Sequence, residues 1–152
     1  MNGLIATNRK AHRDYVVLET MECGIELKGS EVKSLRAKQM SLEDGFARIE
    51  KKEVILYNIH ISPYSEASYL NVEPKRPRKL LLRKNQIEKL SGQIAQRGFT
   101  LVPLKAYFND RGFAKIELAL CKGKKSYDRR EDLKRRETDL EMRRALKNRR
   151  RK

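Results

Sequence analysis

Two histidines, two cysteines and a few acidic pairs are the side chains of this 152-residue chain that could do covalent or acid–base chemistry. His12 lies two residues from Asp14, a spacing that orients no dyad. His60 sits in Asn58-Ile59-His60-Ile61, where alternation puts it opposite the isoleucines. Cys23 and Cys121 belong to no CxxC or His-bearing spacing, so they read as reduced thiols rather than as a metal site or a disulfide. Glu43-Asp44 is the kind of pair that holds Mg²⁺ in a nuclease, but it also makes an ordinary turn. No GxxxxGK[ST] run occurs, and Gly123 in "KGKK" stands alone. The expectation is a protein without catalysis, metal or cofactor.

Binding chemistry is abundant instead. The formal charge is +16 and the pI about 10.1. Such an excess favours polyanions, because each phosphate met by Lys or Arg releases condensed counterions. Cations recur in Asn8-Arg9-Lys10, at Lys33 with Arg36, in Lys75, Arg76, Arg78 and Lys79, and from Lys122 to Lys125. Tyr15, Tyr64, Tyr69 and Tyr127 lie near them in sequence. Cations interleaved with aromatic stacking surfaces suit structured or single-stranded RNA, and His60 is then a structural or RNA-facing residue. An anionic membrane is the rival partner. The apolar runs are short pieces such as Leu80-Leu81-Leu82, far below the ~20 residues of a spanning helix, and the N-terminus lacks a secretory stretch. No membrane is expected, and the expected compartment is the cytoplasm.

The elements that must position these groups are mostly strands. Residues 1–13 show no clear period and read as a basic arm. A strand starts at Tyr15, with a turn or bulge at Gly24 before Ile25-Glu26-Leu27 alternates again. Val32, Leu35 and Arg36 have helical spacing, with Ser30 placed to cap a short helix. Phe46–Glu50 and Val54–Ile61 read as strands joined by Lys51-Lys52-Glu53, and residues 62–79 as a long loop containing three prolines. A second helix is predicted over 85–97, with Asn85 and Glu88 as a capping box and Gly98 as its stop. Thr100–Phe108 and Phe113–Leu120 flank the hairpin turn Asn109-Asp110-Arg111-Gly112. Five or six antiparallel strands of this length hide their edges best by closure. The fold expected for 14–125 is mainly β: a small closed antiparallel barrel, OB-fold-like, with two or three short helices, and a β-sandwich as the fallback.

Residues 126–152 form a basic tail. From Lys122 to Lys152 the chain carries fifteen Lys or Arg against six Asp or Glu, which is +9 of the total. Glu131–Arg135, Asp132–Arg136 and Asp139–Arg143 are i,i+4 pairs with the acid first, each worth ~0.2–0.5 kcal/mol in a helix. Leu133, Leu140 and Leu146 are too few for a packed face. The tail is therefore expected to be disordered alone and helical when anions surround it.

Six phrases in order, "NRKAHRDY", "GSEVKSLRAK", "NIHISPY", "RKLLL", "TLVPLKAYF" and "KGKKSYDRR", resemble the bacterial SsrA-binding protein (small protein B) family. The resemblance runs from about Asn8 to the end. It implies an OB-like barrel that binds the tRNA-like domain of transfer-messenger RNA and accompanies it to stalled ribosomes in trans-translation. EF-Tu with GTP would be met only through that RNA, and a monomer is expected. By position, Glu22 and Leu81 match residues of the family's RNA-binding surface, Asn8-Arg9-Lys10 and Arg78-Lys79 would lie against RNA, and Lys124 and Lys125 match its GKK element. Lys33, Arg36 and Arg76 join this set on charge, and His12 as a stand-in for an aromatic. Tyr127-Asp128-Arg129-Arg130 matches a motif that acts in the decoding centre. The tail beyond it, with Lys134, Arg135, Arg143 and Arg144, would form a helix in the empty mRNA channel. Arg13 stands where many members carry an aromatic or histidine. Arg129 replaces a common lysine, which keeps charge but changes hydrogen-bond geometry. The alternative is a ribosomal or ribosome-assembly protein with the same basic barrel, and an RNA-processing nuclease ranks third.

Overall fold

Alternating β-branched and aromatic runs joined by tight turns leave a chain little choice but an antiparallel sheet. The computed structural model describes residues 3–64, 72–95 and 98–150, with the side chains of 125–135 and 149–150 outside the description. The strands are β1 (Leu4–Thr7), β2 (Tyr15–Ile25), β3 (Met40–Ser41), β4 (Phe46–Glu50), β5 (Glu53–Tyr57), β6 (His60–Ile61), β7 (Arg78–Leu81), β8 (Phe99–Phe108) and β9 (Ala114–Gly123). The helices are α1 (Arg9–Asp14), α2 (Gly29–Arg36), α3 (Lys84–Ile94) and α4 (Lys124–Arg150).

Six strands close a ring in the order β8-β4-β5-β7-β2-β9, and β9 returns to β8. Closure removes the open edges that an antiparallel sheet of this size would otherwise expose. The small closed antiparallel barrel expected from sequence is the observed fold. Leu56, Leu80, Leu101, Ile116 and Leu118 fill its interior, and Leu90 of α3 closes one end. The seam is uneven. β2 pairs with β9 over nine residue pairs, whereas β4 meets β8 only at Ala47 and Leu101.

Several local expectations change. The bulge in β2 falls between Val17 and Glu19, not at Gly24, which stays in the ladder opposite Leu81 and Lys115. The run expected as one strand over 54–61 breaks at Asn58, whose φ of +64° turns the chain so that His60 and Ile61 pair with β3. Asparagine tolerates that left-handed conformation better than most residues. α2 starts at Gly29 with Lys28 before it, and the Glu31 carboxylate rather than Ser30 meets the first turn by accepting from the Lys28 N–H at 2.9 Å. In α3 the Gln86 side chain accepts from the Arg83 N–H at 3.0 Å, displacing the expected Asn85–Glu88 box by two residues. The hairpin between β8 and β9 matches its turn chemistry. Gly112 has φ +82°, and Asn109 Oδ1 accepts from the N–H groups of Arg111 and Phe113.

The N-terminal stretch expected as an arm is folded onto the barrel. β1 pairs with β8, and α1 lays Ala11 over an outer apolar cluster with Val102, Leu104, Ala119 and Cys121. Asn8 is the anchor. Its Nδ2 donates to Leu42 O at 3.0 Å and Pro103 O at 2.9 Å, while its Oδ1 accepts from Ala11 N. The tail forms one continuous helix, α4, whose described side chains from Arg136 to Asn148 are all exposed.

Candidate nucleic-acid interface

An open concave surface lies on the outside of β7 and β2, between the β4–β5 turn and the start of α3. It is an open groove of about 970 Å³. Glu22, Lys79 and Leu81, three residues expected at an RNA surface, all line it. Its remaining cations are Lys51, Lys52, Arg83, Lys84 and Lys115, so six positive charges face two acids, Glu22 and Glu53.

Each wall has a local cause. Lys51 and Lys52 occupy a two-residue hairpin with φ of +49° and +64°, a geometry that glycine or asparagine normally adopts. The turn accepts that cost and presents two ammonium groups at the groove rim. Lys79 follows from strand alternation, since Arg78 and Leu80 point inward. It pairs with Glu53 at 3.3 Å across the neighbouring strand. Leu81 is 51% exposed, an apolar side chain left open among cations. Gly24 makes this possible: a Cβ there would sit 3.1 Å from the Leu81 Cβ and 3.3 Å from its Cδ1. On the adjoining side, Leu27, Val32, Phe108 and Phe113 continue the apolar floor beyond Leu81.

Glu22 is held in place by a hydrogen bond from the Tyr107 hydroxyl. Burial first, then the Glu22 carboxylate, raise the Tyr107 phenol well above its ordinary range. It therefore remains a donor, and one Glu22 oxygen stays committed to it. Sequence reading missed Lys51, Lys52, Arg83, Lys84, Lys115 and Tyr107. The Lys51-Lys52 turn was legible as a turn, but the registers Tyr107↔Lys115 and Gly24↔Lys115, which bring the far hairpin to this groove, are properties of the closed sheet.

Two residues expected to lie against RNA are buried. Asn8 is fully buried, with its side chain spent on the three hydrogen bonds above. Arg78 is fully buried as well. Its guanidinium forms an ion pair with Glu31, itself 3% exposed, and donates to Ile59 O and Pro74 O. Burial favours a protonated Glu31. Hydrogen bonds from Arg76, the Lys28 N–H and Arg78 outweigh it and hold the carboxyl below the usual range. Arg76 shares this anchor and is mostly covered. An isolated buried guanidinium would be costly, so the network keeps its charges paired and joins α2, β7 and the end of the 62–77 connection.

The other predicted residues with described side chains do not line the groove. Arg9, Lys10 and His12 are exposed on α1, where Lys10 meets Asp44 at 2.9 Å, an interaction that raises the Lys10 pKa and lowers that of Asp44. Lys33 and Arg36 are exposed on α2, with the Lys33 ammonium 5.5 Å from the Tyr64 ring. Lys124 begins α4, and Arg143 and Arg144 are exposed farther along it. Lys125, Tyr127, Asp128, Arg129, Arg130, Lys134 and Arg135 lie on the α4 backbone, but their side chains are outside the described residues.

Cys23 and Cys121 are free and buried, and burial pushes their thiols up to about 12 and about 11. Among the described residues no group of three or more His, Cys, Asp and Glu is arranged to hold a metal ion, and no helix is long and apolar enough to cross a membrane.

Comparison with known proteins shows the family. A family model described as SmpB protein matches residues 5–148. A curated SsrA-binding protein of Enterococcus faecalis is 55% identical over 148 residues, covering 97% of this chain and 96% of the relative. Another, from Caldicellulosiruptor bescii, is 55% identical over 144 residues, covering 95% of this chain and 90% of the relative. A solved chain described as "tmRNA-SmpB: a journey to the center of the bacterial ribosome" superimposes with a TM-score of 0.66 at 54% identity, over 77% of this chain and 82% of that one. With the ring closed as expected and the family model spanning almost the whole length, the chain belongs to the SmpB family.

Proposed function

We propose that this chain is a non-catalytic adaptor that binds the tRNA-like domain of transfer-messenger RNA and delivers it to stalled ribosomes for trans-translation. The observation that carries this reading is the groove where Glu22 and Leu81 meet six cations. It combines phosphate neutralisation with a rigid acceptor and an apolar contact, the mixture that structured RNA with unpaired bases requires. The family relationship supplies the RNA's identity, and the site of action is the cytoplasm, where ribosomes stall.

In this reading the work is divided. The barrel captures RNA as a monomer. Tyr127-Asp128-Arg129-Arg130 meets the decoding centre, and α4 enters the empty mRNA channel with Lys134, Arg135, Arg143 and Arg144 along ribosomal RNA. EF-Tu and GTP arrive with the RNA and touch this chain only through it. Truncation after Lys125 tests the division: affinity for the tRNA-like RNA, measured by filter binding, stays within about threefold, while tagging of stalled nascent chains is lost. Loss of both together, or survival of tagging, overturns it.

A further inference from the structure

Beyond the groove, the outer face of β4 and β5 carries an aromatic stack whose use nothing above assigns. The Phe46 and Tyr57 rings are stacked with centroids 5.6 Å apart and planes 20° from parallel. The Arg48 guanidinium lies over both, 5.2 Å from the Phe46 centroid and 5.8 Å from that of Tyr57. Arg48 is exposed, yet it forms no ion pair among the described residues. The nearby candidate, Glu50, is occupied: the Tyr57 hydroxyl donates to its Oε1 at 2.6 Å. That bond also raises the Tyr57 pKa, so the donor persists at neutral pH.

Cross-strand packing alone explains two stacked rings. It does not explain why Glu50 is tied to the phenol while Arg48, which shares a cavity with Asp14, Glu43 and Asp44, forms an ion pair with none of them. A guanidinium resting over aromatic rings has less rotamer freedom left to lose and offers a planar, charged group to a ligand. Unpaired nucleobases stack on such planes, and their phosphates pair with the N–H groups at the edge.

The position selects the RNA. Registers Arg48↔Ile55 and Ile55↔Lys79 put Arg48 and Lys79 in one row across three strands, on the same outer face. Two strand spacings separate them, about 10 Å. We infer that the Phe46–Tyr57–Arg48 stack is a second RNA contact, taking an unpaired base of the same RNA that lies in the groove. It rests on the function proposed above.

Equilibrium binding of the tRNA-like domain RNA and, separately, of vacant small ribosomal subunits tests the inference with full-length Arg48→Ala, Arg48→Lys and Leu81→Ala proteins. Arg48 is exposed and forms no ion pair, so thermal melts of its variants should stay within the few degrees that an exposed cation–π contact is worth. Arg48→Ala weakens tRNA-like RNA binding about tenfold, the scale of one lost stacked base. Arg48→Lys weakens it nearly as much while keeping the parent's salt slope, because the charge survives and the plane does not. Full binding by Arg48→Lys makes the residue a plain phosphate contact and overturns the stacking inference. Unchanged RNA binding with weakened subunit binding overturns it too, since the occupant is then ribosomal. If Arg48 variants bind like the parent while Leu81→Ala is weakened, the stack falls and the groove's function stands. If Leu81→Ala also binds like the parent, both fall.

Discussion

The barrel and α4 are both strongly basic, but they hold their charge in different ways. In the barrel, cations are placed by packing: Arg78 is buried against Glu31, Lys79 is set by strand alternation, and Lys51 and Lys52 are forced outward by a strained turn. In α4, every described side chain from Arg136 to Asn148 is exposed, so nothing but the helix itself fixes where a charge points. Rigid placement can recognise a particular RNA shape. A helix of exposed cations matches a channel lined with phosphate and asks little of its sequence. The difference teaches that net positive charge is positioned by packing in one region and left to a solvated helix in the other.

The deepest way to break the contrast is to remove the carboxylate that keeps the barrel's interior charges paired. Glu31→Ala leaves Arg78 buried without its counter-charge, at a cost of about 3–5 kcal/mol, read as a lower urea midpoint. The helical signal of α4 is unaffected. The same pair predicts an acid limb. Because the folded Glu31 carboxyl lies below its ordinary range, its contribution is complete at neutral pH and is lost as pH falls through the folded value. A stability curve that is flat between pH 4 and pH 2 would contradict this assignment.

A smaller change separates stability from binding within the barrel. Replacing Lys51-Lys52 with Asn-Gly relieves two left-handed lysines and stabilises the fold by about 1 kcal/mol. It also removes two rim cations, so the slope of log K against log salt for RNA binding becomes shallower by roughly 1.5 units. A protein that is more stable yet binds RNA less tightly would show that the strained turn is kept for its ligand.

The smallest effect belongs to α4. Asp139→Asn removes the acid placed four residues before Arg143 at nearly unchanged helix propensity and costs about 0.2–0.5 kcal/mol of helix. Circular dichroism at low salt should register a slight loss of helix, with the barrel's melting temperature unchanged. A cooperative loss of barrel stability would mean that α4 is part of the packed domain.

Much of this was legible in the chain. Alternation identified β2, β4, β5, β8 and β9, Asn109 to Gly112 marked the hairpin, and the helical spacing of Ile87, Leu90 and Ile94 marked α3, whereas β1 lies in the stretch read as an arm and β7 begins in the stretch read as a loop. Glu22 and Leu81 were found through ordered phrases shared with a family, and the structure puts them in one groove. The burial of two expected contacts was not legible. Arg78 reads like any cation of a basic cluster, and Asn8 like the start of a polar arm, until burial shows what each bonds. Polar residues that satisfy a core and polar residues that meet a partner look alike in a string of letters, since both are hydrogen-bonding groups near apolar neighbours.

By itself the sequence determined the charge, the strand periodicity that calls for a closed antiparallel sheet, and the helix-favouring pairs of the tail. These are local or additive properties, carried by residue types at short spacings. Which cations are free, and which apolar side chains stay open, only the tertiary structure decided. Ring closure brings Lys115 and Tyr107 to Glu22, Gly24 lets Leu81 lie exposed over β2, and Glu31 withdraws Arg78 from the surface. Those outcomes depend on contacts between residues tens of positions apart, and burial, which no single residue carries in its identity, settles them.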